Sequence, residues 1–187
     1  MKKILISTGG SGGHVVPAII LYDHLKNKFN VEMVSDKRGS KFINKNLYSF
    51  SIIDTPKFSK NIIIMPLFII NFLISLLKSF LFLKRKKINY LLSTGGYMSF
   101  PFCIAAKAFG IKIFLFEPNT VLGRSNKLML KFSKNIFCYH KNIINYPKKF
   151  REKIISIDPL LRKEIYSISN NKIDKKSSDF KILITGG

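Results

Sequence analysis

Short runs of apolar residues alternate with helix-length stretches along most of the chain. Each run has the length of a β-strand, and polar or glycine-containing turns separate the runs from the helical stretches. The predicted strands cover residues 3–7, 31–35, 49–53, 89–93, 111–116 and 135–139. Strands that alternate with helices form a parallel sheet, because each connection crosses a face of the sheet before the next strand begins. The pattern therefore predicts an α/β fold with a Rossmann-like, doubly wound parallel sheet.

The carboxyl-terminal part of the chain departs from this pattern. Residues 167–179 are mostly polar, which is typical of a linker between domains. Residues 180–187 then repeat the strand-and-glycine pattern of residues 3–10. Since a single strand needs a sheet to join, we expect residues 1–166 to form one domain. We expect residues 180–187 to be the first strand of a second α/β domain, cut off as it begins.

The composition limits the class of protein. Of 187 residues, 47% are hydrophobic, which is enough for a substantial core and excludes global disorder. Lys and Arg number 32 against 10 Asp and Glu, and the resulting formal net charge of +22 favours anionic partners. The two cysteines, Cys103 and Cys138, are too few for a disulfide framework or a metal knuckle. We expect no metal and no cofactor.

A glycine-rich loop at residues 8–14 follows the first predicted strand. Glycines let the backbone approach a ligand closely, and the N–H groups at the start of the following helix favour phosphate. The spacing fits neither the dinucleotide-binding fingerprint nor the Walker motif. His14 lies where the helix begins, and the helix dipole there favours a neutral imidazole. We predict that His14 acts as a general base on a hydroxyl; a purely structural role is the alternative.

Two further loops, at residues 94–100 and 116–126, follow later strands. Ligands of such sheets bind at the carboxyl ends of the strands, so we expect all three loops to share one crevice. Paired glycines recur in the second loop, which favours a ligand with more than one phosphate. Glu117 is the only acidic residue between Asp54 and Glu152. It is predicted to orient a substrate hydroxyl, to assist a base or to neutralise a nearby Lys or Arg.

A long apolar segment at residues 62–83 ends in four consecutive basic residues, 84–87. It is long enough to span a membrane, but it lies between strands of one predicted sheet. We therefore predict a helix that packs one side on the sheet and places another in the membrane interface, where its basic end contacts anionic lipid. A helix buried within the protein and a true span are the alternatives. The residues assigned to the membrane are Ile62, Ile63, Phe68, Phe72, Phe80, Phe82, Lys84, Arg85, Lys86 and Lys87.

Three motifs occur in the order and at the spacing of a known family. They are Gly-Gly-Ser-Gly-Gly-His-Val-Val-Pro at 9–17, Gly-Gly-Tyr-Met-Ser-Phe-Pro at 95–101, and Glu-Pro-Asn at 117–119 followed by Gly123, Asn126 and Lys127. In these motifs the chain resembles the MurG family of peptidoglycan glycosyltransferases along essentially its whole length. The resemblance implies the amino-terminal domain of a two-domain GT-B glycosyltransferase, which holds the lipid-linked acceptor. The following domain holds most of the donor.

The resemblance also implies a reaction. N-acetylglucosamine passes from UDP-N-acetylglucosamine to the muramyl 4-hydroxyl of undecaprenyl-diphosphate-linked muramoyl-pentapeptide, with inversion, at the cytoplasmic face of the bacterial plasma membrane. His14 matches the proposed catalytic histidine of the family, and Glu117 is the alternative base. The implied substrate-binding residues are Ser11, Gly12, Gly13, Gly95, Gly96, Tyr97, Asn119 and Arg162. Without the donor domain, these 187 residues are expected not to catalyse transfer.

Two other functional classes fit parts of the sequence. In a split N-acetylglucosamine transferase, such a chain would be a separate subunit that binds the acceptor and anchors the enzyme to the membrane. A nucleic-acid-binding module would use the basic surface, but it would leave the paired glycine loops unexplained. We therefore expect UDP-N-acetylglucosamine, the lipid-linked acceptor and an anionic membrane surface as partners, and no nucleic acid.

Overall fold

The structure is a computed structural model that describes residues 1–56, 65–162 and 165. Within these residues, all the strands join one parallel sheet. The strands are β1 (Lys3–Ser7), β2 (Asn30–Ser35), β3 (Phe50–Ile52), β4 (Tyr90–Ser93), β5 (Lys112–Glu117), β6 (Asn135–Cys138) and β7 (Ile154–Ser156). Their order is β3-β2-β1-β4-β5-β6-β7. The chain runs outward from β1 in one direction, then returns and continues from β4 in the other, which places a crevice between β1 and β4.

Helices connect the strands. The α-helices are α1 (Gly12–Leu25), α2 (Met65–Lys86), α3 (Ser99–Ala108) and α4 (Arg124–Met129), and 3₁₀ helices cover Gly39–Phe42 and Lys148–Lys153. Alternate residues of the central strands face opposite sides of the sheet. Leu5 and Leu91 pack on one side with α2 and α3, whereas Ile4 and Ile6 pack on the other with α1. Because both faces are covered, the strands are almost continuously apolar.

The predicted Rossmann-like fold is confirmed. All six predicted strands occur, and their ends agree with the prediction to within one residue. The hydrophobic pattern does not predict β7, because this strand has only three residues and follows a short 3₁₀ helix at the edge of the sheet. The predicted linker at 167–179 and the strand at 180–187 lie outside the described residues.

Helix α2 buries serines and exposes apolar residues, the reverse of an ordinary surface helix. The side chains of Ser75 and Ser79 are buried, and the two hydroxyl oxygens of Thr55 and Ser75 lie 2.9 Å apart. In the described part of the chain, α2 is the one helix long and apolar enough to cross a membrane. Between 45% and 60% of each of these side chains is exposed: Leu67, Ile69, Ile70, Leu73, Ile74, Leu77 and Leu81.

Aromatic residues of α2 pack against α3. The ring of Phe82 packs edge-on against Phe102 of α3, with ring centroids 5.9 Å apart, and Phe72 lies 6.1 Å from Phe100. The exposed apolar surface of α2 consists of leucine and isoleucine instead. Phe68, Phe72, Phe80 and Phe82 are all half-buried, and their assignment to the membrane surface stays a prediction.

The basic residues at the end of α2 do not all face solvent. Lys84, Arg85 and Lys87 are exposed. The ammonium of Lys86, by contrast, lies 2.9 Å from a carboxylate oxygen of Glu32 in β2. This ion pair directs the ammonium of Lys86 toward the sheet, and the assignment of Lys86 to the membrane stays a prediction. The two remaining residues assigned to the membrane, Ile62 and Ile63, lie outside the described residues.

Candidate functional site

The three predicted loops meet at the carboxyl ends of β1, β4 and β5. Gly95 and Gly96 of the second loop have φ angles of +95° and +81°, a backbone conformation that favours glycine. A Cβ at Gly96 would lie 3.0 Å from the carbonyl oxygen of Gly9, and one at Gly95 would lie 3.1 Å from two ring atoms of His14. The paired glycines therefore allow the first and second loops to contact each other directly.

The second loop also fixes the ring of His14. Its Nδ1 lies 3.0 Å from the backbone carbonyl oxygen of Thr94. Since a carbonyl only accepts hydrogen bonds, Nδ1 carries the proton in this contact, and Nε2 of a neutral ring keeps its lone pair. The hydroxyl of Thr94 lies 2.9 Å from the carbonyl oxygen of His14. Thr94, which the sequence does not single out, thus sets both the position and the tautomer of this histidine.

A buried carboxylate links the two glycine loops. Asp36 follows β2, and only 3% of its surface is exposed. Its Oδ1 accepts hydrogen bonds from the N–H groups of Gly10 and Gly39 at 2.9 and 2.7 Å. Its Oδ2 accepts one from the hydroxyl of Tyr97 at 3.1 Å. Burial, and then the charge and hydrogen bond of Asp36, raise the pKa of Tyr97 and keep its hydroxyl a donor.

Sequence reasoning, which found no dinucleotide-binding fingerprint, gave Asp36 no role in the site. The signal for its actual position was available, because an acidic residue directly after a buried strand lies at the carboxyl edge of the sheet. What the sequence lacks is any sign of its partners. Gly10, Gly39 and Tyr97 lie far apart along the chain, and only the fold brings them to one carboxylate.

Glu117 organises the third loop. Its Oε2 accepts hydrogen bonds from the N–H of Gly123 at 2.8 Å and from the side-chain amide of Asn126 at 3.0 Å. Its Oε1 accepts one from the side-chain amide of Asn119 at 2.9 Å. In the described residues, Glu117 forms no ion pair with Lys or Arg. This geometry favours a structural role for Glu117, and its role as a base stays a prediction.

The buried Asn126 extends the third loop toward the second. Its amide also donates to the carbonyl oxygen of Phe116 at 3.1 Å. Its Oδ1 has no hydrogen-bond partner among the described residues, and a Cβ at Gly95 would lie 3.5 Å from that oxygen. Sequence reasoning placed Asn126 in a motif but gave it no role. The structure shows a buried acceptor close to Gly95 of the second loop, the loop that contacts the ring of His14.

The remaining predicted substrate-binding residues occupy two places. Ser11 and Gly13 are exposed at the start of α1, with Gly12 between them. The first N–H groups of a helix have no partner within it, so they are suited to an anion. Arg162 instead lines a cavity of about 240 Å³ beside α1, together with Asp23 and other residues. Its contact with the donor stays a prediction.

The cysteines lie away from this chemistry. Both thiols are buried, and burial raises the pKa of each; that of Cys138 rises to about 12, with a smaller contribution from the charge of Glu117. Neither is therefore a thiolate near neutral pH. Among the described residues, no cluster of three or more His, Cys, Asp or Glu side chains is placed to hold a metal ion.

Comparison with known proteins assigns the family. Residues 4–138 match the model of the glycosyltransferase family 28 N-terminal domain. The chain belongs to this family. The matched residues run from β1 to the end of β6 and so include all three loops of the crevice.

Curated relatives of this chain include proteins named UDP-N-acetylglucosamine--N-acetylmuramyl-(pentapeptide) pyrophosphoryl-undecaprenol N-acetylglucosamine transferase. The protein of that name from Pelagibacter ubique is 51% identical over 187 residues, which cover 100% of this chain and 52% of the relative. The one from Rickettsia felis is 34% identical over 196 residues, covering 100% of this chain and 53% of the relative. The chain thus spans about half the length of the curated relatives it matches.

Solved structures show that the fold is shared. MurG of Acinetobacter baumannii has a TM-score of 0.70 at 20% identity, with 92% of this chain and 50% of that chain covered. UDP-GlcNAc 2-epimerase of Neisseria meningitidis, solved with UDP-GlcNAc, has a TM-score of 0.58 at 15% identity, with 82% and 45% covered. At these identities the family 28 chain shares the Rossmann-like architecture with both proteins.

Proposed function

We propose that this chain is the acceptor-binding half of an inverting glycosyltransferase. The complete protein transfers N-acetylglucosamine from UDP-N-acetylglucosamine to the muramyl 4-hydroxyl of undecaprenyl-diphosphate-linked muramoyl-pentapeptide. The observation that carries the proposal is the position of His14, whose Nε2 keeps a lone pair between two contacting glycine loops. The choice of substrates is supported by relatives that carry the transferase name given above. One of them is 51% identical over the whole chain.

His14 takes the proton of the attacking hydroxyl. As the hydroxyl oxygen forms its bond to the anomeric carbon of the donor sugar, its proton passes to Nε2 of His14. The bond between that carbon and the UDP oxygen breaks, and UDP leaves with the electron pair. Because attack and departure occur on opposite faces of the sugar, the configuration inverts. The Nδ1 contact with Thr94 stabilises the imidazolium that results.

The glycine loops bind the diphosphate groups. The start of α1, at Ser11, Gly12 and Gly13, supplies N–H groups and the positive end of a helix dipole. Asp36 holds the backbone of Gly10 and the hydroxyl of Tyr97 in place, so the two loops face the ligand already ordered. An ordered site loses less conformational entropy when the ligand binds.

The donor binds mostly outside this chain. Residues 180–187 begin the donor domain, residues 167–179 link the two domains, and Asn119 and Arg162 contact the donor from the acceptor half. The 187 residues alone therefore bind the acceptor but do not transfer the sugar. The chain's coverage of 52% of a relative supports a second domain of similar size.

Helix α2 attaches the protein to the cytoplasmic face of the bacterial plasma membrane. Its exposed leucines and isoleucines lie next to three exposed basic residues, Lys84, Arg85 and Lys87, an arrangement suited to an anionic interface. The serines on its opposite side pack into the protein, so α2 lies on the membrane and does not span it.

A transfer assay tests the proposed function. The full-length protein is incubated with UDP-N-acetylglucosamine, labelled in the sugar, and a lipid-linked muramoyl-pentapeptide. Label in the lipid product is the expected result. The 187-residue chain, tested in parallel, is expected to give no labelled lipid. A full-length protein that labels no lipid, or that labels a protein or nucleic acid instead, overturns the proposal.

A further inference from the structure

An apolar cavity of about 340 Å³ lies beside the second glycine loop, between α2, α3 and α4. Its walls include Phe68 and Phe72 of α2, Phe100 of α3 and Leu128 of α4. The three rings form a row, with centroids 6.0 Å apart between Phe68 and Phe72 and 6.1 Å apart between Phe72 and Phe100. Ligand pockets range from about 300 to 1,000 Å³, so this cavity has room for a short hydrocarbon chain.

One edge of the cavity is formed by Tyr97, which also belongs to the proposed diphosphate site. Its hydroxyl donates to Asp36, whose carboxylate holds the N–H of Gly10 in the first loop. The cavity and the glycine loops therefore share a residue. A molecule that places a diphosphate on these loops has the cavity directly beside it.

The wall of the cavity on α4 includes an exposed apolar residue, Leu128. Leu128 is 61% exposed, and Leu67, Ile69 and Ile70, which lie within two residues of Phe68 along α2, are 59%, 49% and 55% exposed. Exposed apolar side chains grouped on one helix are unfavourable in water, and such a patch is typical of a surface that binds a membrane, a protein or an apolar ligand. The cavity thus lies between Tyr97 of the second glycine loop and α2, the helix proposed to contact the membrane.

We propose that this cavity binds the first part of the hydrocarbon chain of a prenyl diphosphate. The proposal rests on the proposed function, which supplies the diphosphate. The chain leaves the diphosphate at Tyr97, packs against Phe72, Phe100 and Leu128, and continues along α2 toward the bilayer. The enzyme thereby recognises the lipid itself, in addition to the diphosphate and the sugar.

Calorimetric titration of the 187-residue chain tests this inference. The two probes are inorganic diphosphate and farnesyl diphosphate, which differ by the hydrocarbon chain. Farnesyl diphosphate is expected to bind at least tenfold more tightly, because removing about two CH₂ groups from water already yields a tenfold gain. Equal affinity for the two probes overturns the proposal.

Variants test whether the tighter binding of farnesyl diphosphate depends on the cavity. Leu128→Asn makes an exposed wall of the cavity polar with little risk to folding, and Phe72→Ala opens its centre. Both are expected to remove most of the advantage of farnesyl diphosphate and to leave inorganic diphosphate unaffected. Leu81→Asn is the control, since Leu81 is 59% exposed on the same helix but roughly 14 Å along it from Phe72. An advantage that survives Leu128→Asn, or that Leu81→Asn removes equally, overturns the proposal.

The two probes also separate this inference from the proposed function. If farnesyl diphosphate binds through Leu128 while inorganic diphosphate does not bind, the cavity is supported and the role of the glycine loops fails. If both bind equally, the loops are supported and the cavity fails. If neither binds, both proposals fail.

Discussion

The hydroxyl of Tyr97 donates a hydrogen bond of 3.1 Å to the buried carboxylate of Asp36. Tyr97 follows β4 and Asp36 follows β2, so this bond reaches across the carboxyl ends of the sheet from one loop to another. Packing around the carboxylate is tight, because a Cβ at Gly9 would lie only 2.7 Å from its Oδ1. The glycine loops are therefore held in their relative positions before any ligand binds.

Replacing this carboxylate weakens the fold. In Asp36→Asn, the N–H groups of Gly10 and Gly39 and the hydroxyl of Tyr97 lose their charged acceptor, and the hydroxyl must face an amide N–H₂ where it donated to a carboxylate oxygen. Since a hydrogen bond to a charged group contributes about 1.5–3 kcal/mol, we expect the free energy of unfolding to fall by about 2 kcal/mol or more. Urea denaturation measures it. The exposed Asp54→Asn is the control and is expected to cost less than about 1 kcal/mol. Equal losses would contradict the role given to Asp36.

Ionisation of Tyr146 is expected to lower the stability of the folded protein at alkaline pH. Burial raises its pKa from 10.0 to about 12, with smaller contributions from Cys138 and Glu152. Between these two values the phenol ionises in the unfolded chain but not in the folded one, so stability falls as the pH rises from about 10 to about 12. In Tyr146→Phe the loss of stability over this range is expected to be smaller.

Denaturation curves between pH 9 and about 12 measure this effect. Tyr90→Phe is the comparison, because a hydrogen bond from Lys2 lowers the pKa of the half-buried Tyr90. We do not expect Tyr90→Phe to reduce the loss of stability at alkaline pH. If the slopes of the wild type and of Tyr146→Phe coincide, Tyr146 is not the group responsible.

His14→Ala tests the proposed base. In the full-length protein we expect turnover to fall at least about a hundredfold, the scale of general-base catalysis, with little change in the melting temperature. The transfer assay measures turnover. His24→Ala is the matched control, because His24 lies on the same helix and contacts the carbonyl oxygen of Leu161, away from the glycine loops. It should retain turnover within about twofold, and near-normal turnover of His14→Ala would remove His14 from the mechanism.

Glu117→Gln distinguishes a base from a structural acceptor. The carboxylate of Glu117 accepts from Gly123, Asn126 and Asn119, so a neutral amide disturbs the third loop. We expect the free energy of unfolding to fall by about 1–3 kcal/mol and turnover to fall less than about tenfold. Urea denaturation of the 187-residue chain and transfer by the full-length protein give the two values. Unchanged stability with a hundredfold or greater loss of turnover would make Glu117 the base.

Membrane binding should depend on one side of α2. We expect the chain to co-sediment with anionic liposomes at physiological salt, and the double variant Leu73→Asn, Leu77→Asn to bind at least about tenfold more weakly. Leu47→Asn is the control, since Leu47 is 68% exposed but lies outside α2. Failure of the wild-type chain to co-sediment would contradict the proposed attachment.

The basic end of α2 gives a finer test of the same surface. Each charge near an anionic surface contributes about 1 kcal/mol, so Lys84→Gln and Arg85→Gln should each weaken liposome binding several-fold. Lys86→Gln should weaken it less, because Lys86 pairs with Glu32 in the sheet. Equal effects of the three substitutions would show that this ion pair does not direct Lys86 away from lipid.

The chain order of the elements and the composition of the loops were readable from the sequence. Continuous apolar runs separated by helix-length stretches specify a parallel sheet, because only buried strands tolerate apolar residues on both faces. Glycines directly after β1 and β4 indicate backbone that must approach a neighbour or a ligand. The fold and the three loops therefore follow from local pattern, whereas β7 was too short to carry such a pattern.

The partners of each side chain were decided by tertiary structure. Asp36 holds Gly10, Gly39 and Tyr97, and no local pattern relates positions so distant along the chain. The side of α2 that faces the protein was decided in the same way. The composition predicts an apolar helix, but the rotation of that helix depends on the surfaces of α3 and of Thr55. Against these surfaces serine is buried and phenylalanine is half-buried, and leucine stays exposed. Sequence periodicity thus determined which elements form, and long-range packing determined what each residue contacts.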